Sequence, residues 1–374
     1  MQHRITLLAL ATMAIAPPAF AQSGQIDVSG ATPTIVVSDV GTTAGTGINN
    51  PLYLPARSEY SGIANLWMRG NSPGNAIQGA CTGNLLWTGR HILTAAHCIA
   101  NSAGVLRDPF GTARFRNAGG GWTNYNWSSV AIRGGYSGAV VEEQDVAILT
   151  LDNVADNAFE RYLIANEDPT GKRVRFQGYG RTGTGLTGDN NTANSQFDDN
   201  AVLRRGWNRF DTTCTEAAGP SPIFATCANN ANANKGAFGG ILMSDFDNPT
   251  NPNAADLCTQ LSICVGGEPG LEEVSIGRGD SGSAAFIESN NRMVGVASWG
   301  VGSGGNLAQF NRIGGMACVA NYAPNAACLA NYNFIVNTIG APPTVVIPEP
   351  STYALLATGL FAMGVVARRR RSAK

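Results

Sequence analysis

The sequence predicts an all-β protein, built as a sandwich or barrel, on three observations. Short runs of β-favouring residues recur along the chain, each closed by a turn-forming cluster, the pattern of many paired antiparallel strands. Glycine accounts for 46 of the 374 residues and charged residues for only 14%, a balance that suits loop-rich β structure better than helices. Apolar residues at 44% suffice for a core.

In chain order, Met1–Ala21 reads as a secretory signal: Arg4 precedes the apolar run Ile5–Ala16, and Ala19-Phe20-Ala21 forms a small-x-small cleavage site. Residues 22–46, rich in Gly, Thr, Ser and Val without periodicity, read as a propeptide or flexible arm. Strands are expected at Ile63–Met68, Gly83–Trp87, His91–Thr94, Val130–Arg133, Val146–Leu151, Arg173–Gly178, Ser283–Ile287 and Met293–Ser298. Asn331–Ile339 predicts a closing helix, stopped by Gly340 and followed by Pro342-Pro343. No repeat of solenoid length is visible.

The stretch 182–273 is unusual, with four cysteines and the amide- and acid-rich clusters Asp189–Asn200 and Asn229–Asn234. Its apolar runs are too sparse for an independent core, so it reads as a long insertion pinned by disulfides. Oxygen ligands there are suited to calcium, although solvated loops have the same composition. Zinc has no case: the exported chain keeps two histidines and its cysteines lack paired C-x-x-C spacing. Eight cysteines in an exported chain point to four disulfides.

At the far end Pro348-Glu349-Pro350 precedes an apolar run, Tyr353–Ala367, and the stop Arg368–Arg371. Fifteen helical residues span about 22 Å, short of the roughly 30 Å hydrocarbon core, and the arginines place the C-terminus on the cytoplasmic side. This tail resembles the PEP-CTERM sorting signal. The resemblance implies an exosortase-type partner that cuts near the motif and discards residues 351–374, with 341–350 as a linker. It also implies transient inner-membrane anchoring before delivery to the cell surface, the extracellular matrix or the medium. Without the two ends, 19 basic residues face 26 acidic ones, a net charge of −7. That excludes a nucleic-acid partner as the default reading.

Three segments carry chemistry. Leu93-Thr94-Ala95-Ala96-His97-Cys98, Asp145-Val146-Ala147-Ile148-Leu149 and Gly279-Asp280-Ser281-Gly282-Ser283 supply a histidine, an acid and a serine. A serine hydroxyl needs a base to take its proton, and the base needs an acid to fix its tautomer. The order His–Asp–Ser differs from the subtilisin and α/β-hydrolase orders. His91 is the other histidine left after signal removal, and Glu142 and Glu143 are the alternative acids.

With these segments in this order, the chain resembles trypsin-like serine peptidases of the chymotrypsin fold over roughly Tyr60–Ile339. The resemblance implies two six-stranded antiparallel β-barrels with a C-terminal helix, in a peptidase domain spanning 47–340. It makes His97 the general base, Asp145 its orienting acid and Ser281 the nucleophile, with the Gly279 and Ser281 N–H groups as the oxyanion hole. It pairs Cys81 with Cys98. Gly277 stands where many members have a cysteine, so Cys214–Cys227, Cys258–Cys264 and Cys318–Cys328 are pairings from proximity alone. Ser275 falls at the base of the substrate pocket, and Ser298-Trp299-Gly300 match the strand that binds substrate backbone. A neutral Ser275 favours apolar or aromatic residues before the cut, although Glu272 and Glu273 are near enough in sequence to recruit a basic one. Asp280 corresponds to the carboxylate that pairs with a newly cut N-terminus. No Ile-Val-Gly-Gly start is present, and cleavage before Ile48 or Ser58 are the alternatives.

The expectation is thus an exported serine endopeptidase, a monomer needing no organic cofactor. A catalytically silent matrix or adhesion protein and an esterase are the rival readings.

Overall fold

The computed structural model describes residues 35–39, 41, 43–56, 59–138, 142–185, 188–191, 197, 199–213, 240–246, 271–277, 279–301 and 313–343. All lie in the compact unit Thr32–Lys374.

Six strands close the first barrel: β2 (Ile63–Met68), β3 (Gly79–Leu85), β4 (His91–Thr94), β5 (Gly111–Arg116), β6 (Trp122–Ile132) and β7 (Ala147–Leu151). They are hydrogen-bonded in the order β2-β3-β4-β7-β6-β5. Closure leaves no strand edge exposed. Leu66 stands opposite Cys81 on one side and Ala113 on the other. Ile63, Leu85, Ile92, Phe115 and Leu149 are fully buried with it.

The second half is a seven-stranded antiparallel sheet over the described residues, in the order β11-β8-β15-β16-β17-β13-β12. Its strands are β8 (Arg173–Gly178), β11 (Arg204–Arg209), β12 (Thr212–Thr213), β13 (Ile241–Ser244), β15 (Ala284–Ile287), β16 (Arg292–Val301) and β17 (Ile313–Cys318). Phe176, Phe210, Val294 and Met316 pack in its core. Parts of the stretch expected as an insertion are therefore sheet strands. Its cysteine pairs Cys214–Cys227 and Cys258–Cys264 lie outside the described residues, as do most of the clusters considered for calcium.

A third, four-stranded sheet takes in the arm. β1 (Ile35–Val37) lies between β9 (Thr182–Thr184) and β14 (Val274–Ser275), with β10 (Gly188–Asn191) beyond β9. Val36 stands opposite Ser275 and Val37 opposite Val274. Residues expected as a propeptide or flexible arm thus include a strand whose Val36 and Val37 are buried.

Helix α1 spans Ala326–Ile339, five residues longer at its start than expected. The Asn325 side chain caps it, accepting from Ala327 N–H at 3.2 Å and Cys328 N–H at 3.1 Å. The Cys318–Cys328 disulfide ties it to β17, as proximity suggested. Asn331 then joins both halves: its Nδ2 donates to the Glu143 carbonyl at 2.7 Å and to the Cys318 carbonyl at 2.8 Å. Among the described residues no helix is long and apolar enough to cross a membrane; the tail expected to anchor the chain lies outside them.

Candidate active site

The strand β4 ends at Thr94, and Ala96–Cys98 forms a tight 3-10 turn. The Cys81–Cys98 disulfide fastens that turn to β3, with Cα atoms 6.2 Å apart. His97 therefore leaves the barrel on a pinned backbone. Its N–H donates to Asp145 Oδ1 at 2.8 Å, and its Nδ1 lies 2.7 Å from Asp145 Oδ2. Asp145 is fully buried at the start of β7. A carboxylate only accepts, so this contact puts the ring proton on Nδ1 and leaves Nε2 as the acceptor. Nε2 is 2.7 Å from Ser281 Oγ.

The other acids near Asp145 are turned elsewhere. Glu142 takes the N–H of Ser137 at 2.7 Å, and Glu143 takes the Gly240 N–H at 3.2 Å. His91 is likewise apart, its Nδ1 lying 2.8 Å from Thr88 Oγ1. Burial, with Arg90 adding to it, lowers the His91 pKa.

Ser298 contributes something its sequence context did not disclose. Between β16 and β17 the register slips from Ala297↔Met316 to Trp299↔Gly315, leaving Ser298 as the additional residue of a bulge. Bulges re-aim side chains, and here the Ser298 hydroxyl donates to Asp145 Oδ2 at 2.5 Å. Expected only as part of the substrate strand, it also fixes the acid.

The loop carrying Ser281 turns on Gly279 and Gly282, at φ 101° and 81°, a region glycine enters freely. A Cβ on Gly282 would lie 2.0 Å from Thr94 Oγ1 and 2.4 Å from the Thr82 carbonyl. The first barrel holds this loop through two residues that sequence reasoning missed. Thr82 N–H donates to the Ser281 carbonyl at 2.8 Å, and its hydroxyl to the Gly279 carbonyl at 3.0 Å. Asn84 Nδ2 donates to the Gly282 carbonyl at 2.7 Å while its Oδ1 accepts the Ala284 N–H at 3.1 Å. Among the described residues, neither the Gly279 N–H nor the Ser281 N–H has a backbone acceptor.

The remaining expected residues line up around this centre unevenly. Ser275 is buried on β14, its Oγ weakly engaged with the Ile276 carbonyl at 3.4 Å. Trp299 is buried and Gly300 exposed at the end of β16. Asp280 is fully buried; its carboxylate accepts the N–H groups of Gly180 at 3.0 Å and Gly277 at 3.3 Å. Glu272 pairs with Arg173 at 2.6 Å. The sulfurs of Cys81 and Cys98 lie close to His97, but joined in a disulfide they offer no thiolate to a metal.

Residues 63–245 match the family model described as Trypsin, a span that includes His97 and Asp145 but stops short of Ser281. Residues 346–371 match the PEP-CTERM protein-sorting motif. No curated protein matches the chain. Similar solved structures include HL collagenase, at 15% identity and TM-score 0.48, over 77% of this chain and 97% of that one. Another is neuropsin, a serine protease expressed in the limbic system of mouse brain, at 16% identity and TM-score 0.46, over 77% and 98%. Residues 63–245 are thus similar to the Trypsin family, and residues 346–371 to the PEP-CTERM protein-sorting motif.

Proposed function

We propose that this protein is an exported, surface-sorted serine endopeptidase working through an acyl-enzyme. The observation that carries the reading is the unbroken run of contacts from Asp145 through His97 to Ser281 Oγ, both ring nitrogens lying 2.7 Å from their partners. Ser281 attacks the scissile carbonyl as His97 Nε2 takes its proton. Asp145 holds the ring and stabilises the imidazolium. The Gly279 and Ser281 N–H groups bind the oxyanion, where losing one donor typically costs about 10²–10³ in rate. His97 next protonates the leaving amine, and water then releases the acyl group by the reverse proton path.

Ser275 is a neutral pocket floor, and with Glu272 engaged by Arg173 the preference is for apolar or aromatic residues before the cut. The order of parts is a signal at 1–21, the peptidase domain, a linker at 341–350 and a discarded tail at 351–374. The sorting motif takes an exosortase-type enzyme as partner and directs the monomeric product to the cell surface or matrix.

The test is labelling with a fluorophosphonate, followed by digestion of a diverse peptide mixture read by mass spectrometry. Wild type should label, Ser281→Ala should not, and cuts should follow Phe, Tyr, Leu or Met. Labelling that persists in Ser281→Ala would refute the nucleophile, and cuts after Lys or Arg the pocket reading. Labelling without peptide cleavage would leave an esterase.

A further inference from the structure

We propose that Val36, in the arm expected as a propeptide, is a specificity-determining residue that forms the floor of the substrate pocket together with Ser275. The inference rests on the reading of Ser275 as that floor and names the neighbour that sets its depth.

The register carries it. In the third sheet Val36 stands opposite Ser275 on one side and opposite Gly183 on the other. Residues paired across a ladder project to the same face, with opposed Cβ atoms about 4.5–5.5 Å apart. The row across this sheet is therefore glycine, valine and serine, and Val36 supplies its bulk. Both Val36 and Ser275 are buried.

Successive residues of a strand face opposite ways, and β1 divides accordingly. Val37 belongs to the core of the second half, with Val274 and Phe176. Val36 packs instead with Phe246, apart from that core. Its face of the sheet is the one that carries the Ser275 side chain.

The row is held from both sides. Asn208 Nδ2 donates to the Val274 carbonyl at 2.9 Å and to the Asp245 carbonyl at 2.6 Å. One amide thus fixes the residue before Ser275 and the residue before Phe246. The arm is tied to the same place: Ser38 Oγ donates to the Glu273 carbonyl at 2.5 Å, and Gly185 N–H to the Val37 carbonyl at 3.1 Å. The Tyr53 hydroxyl donates to the Leu271 carbonyl. Arg204 Nε and Arg205 Nε donate to the Ile48 and Leu52 carbonyls at 3.1 and 3.3 Å. A segment held at so many points stays in the working enzyme. A maturation cut before Ile48 or Ser58 that released the arm would take half of the floor with it.

The test uses the full-length exported protein and two peptides that differ only in Trp or Leu before the cut. Val36→Ala deepens the floor and should raise the Trp/Leu ratio of kcat/KM about tenfold, the effect of a methylene or so in an apolar pocket. Val36→Leu fills it and should move the ratio the other way. Val37→Ala, on the opposite face, should lower Tm and leave the ratio as in wild type. N-terminal sequencing and intact mass of the active protein should show residues 35–53 retained. A ratio unchanged in Val36→Ala overturns the inference, as does an equal shift in Val37→Ala, which would make the arm a structural support only. Unaltered preference in active protein that has lost residues 35–53 overturns it too. Ser275→Asp separates this failure from that of the pocket reading. If it gains cuts after Lys or Arg while Val36→Ala changes nothing, Ser275 remains the floor and Val36 alone is dismissed. If neither variant alters preference, both readings fall.

Discussion

The Thr82 N–H donates to the Ser281 carbonyl at 2.8 Å, so a first-barrel strand grips the main chain of a residue contributed by the second half. The Thr82 side chain completes the grip, donating to the Gly279 carbonyl and accepting the Tyr179 N–H at 3.2 Å. Thr82→Val keeps the backbone bond and the shape but strips both side-chain bonds. Unpairing buried groups costs about 1–3 kcal/mol, to be read from urea denaturation. kcat should fall more than KM rises, because the loop that shifts carries the N–H groups proposed as oxyanion donors. Unchanged stability and unchanged kcat would contradict this.

Asp145 and Ser298 should separate in size of effect. Asp145→Asn removes the acceptor that sets the His97 tautomer, and kcat should drop on the order of 10³–10⁴. Ser298→Ala removes one donor from a carboxylate that keeps the His97 N–H at 2.8 Å. A loss of roughly tenfold is expected there, matching about 1.4 kcal/mol for one charged hydrogen bond. Steady-state kinetics on a single peptide substrate measures both.

Glu143 gives a pH signature in stability. Burial raises its pKa, outweighing the lowering by the Gly240 N–H, Arg133 and Gln144. A carboxyl raised in the folded state binds its proton more tightly there than in the unfolded chain. Its contribution is therefore full below the ordinary glutamate value of about 4.3 and is lost as pH rises through the raised value. Glu143→Gln should flatten that decline: Tm should increase relative to wild type at pH 7 and differ little at pH 4. Thermal melts across that range decide it, and a variant less stable at pH 7 would count against the sign.

The disulfide beside His97 should matter twice. Cys81–Cys98 closes a span of 17 residues, and losing such a crosslink costs about 3 kcal/mol in the chain-entropy account. The paired substitution Cys81→Ala with Cys98→Ala should lower the denaturation midpoint accordingly. It should also depress kcat at temperatures where the protein stays folded, because Cys98 adjoins His97 in the turn.

The meeting of His97, Asp145 and Ser281 was legible in the sequence because each sits in a short contiguous segment whose composition serves one geometry. The supports were not. Thr82 and Asn84 act on residues almost two hundred positions away, and no local pattern announces a hydroxyl or an amide with a partner at that distance. Ser298 reaches Asp145 through a register slip, which periodicity does not encode. The strand Arg204–Arg209 reads as polar, yet it forms one end of the seven-stranded order, with the buried Arg204 donating to the Ile48 carbonyl from far along the chain. The long strand Trp122–Ile132 alternates weakly and is largely solvent-facing, so only its last few residues were anticipated. The beginning of α1 was missed although Asn325 offered a capping signal.

Asn331 donates to the Glu143 carbonyl from 188 positions further along, which has a bearing on when competence arises during synthesis. Translation delivers the imidazole and its carboxylate early, in a barrel whose strands are complete by Leu151. The alcohol, and then the helix that clasps the Asp145 approach, emerge only near the end. On the proposed reading, a nascent polypeptide stalled midway carries only half of the site, so chain order alone would withhold peptidase activity until synthesis is nearly complete.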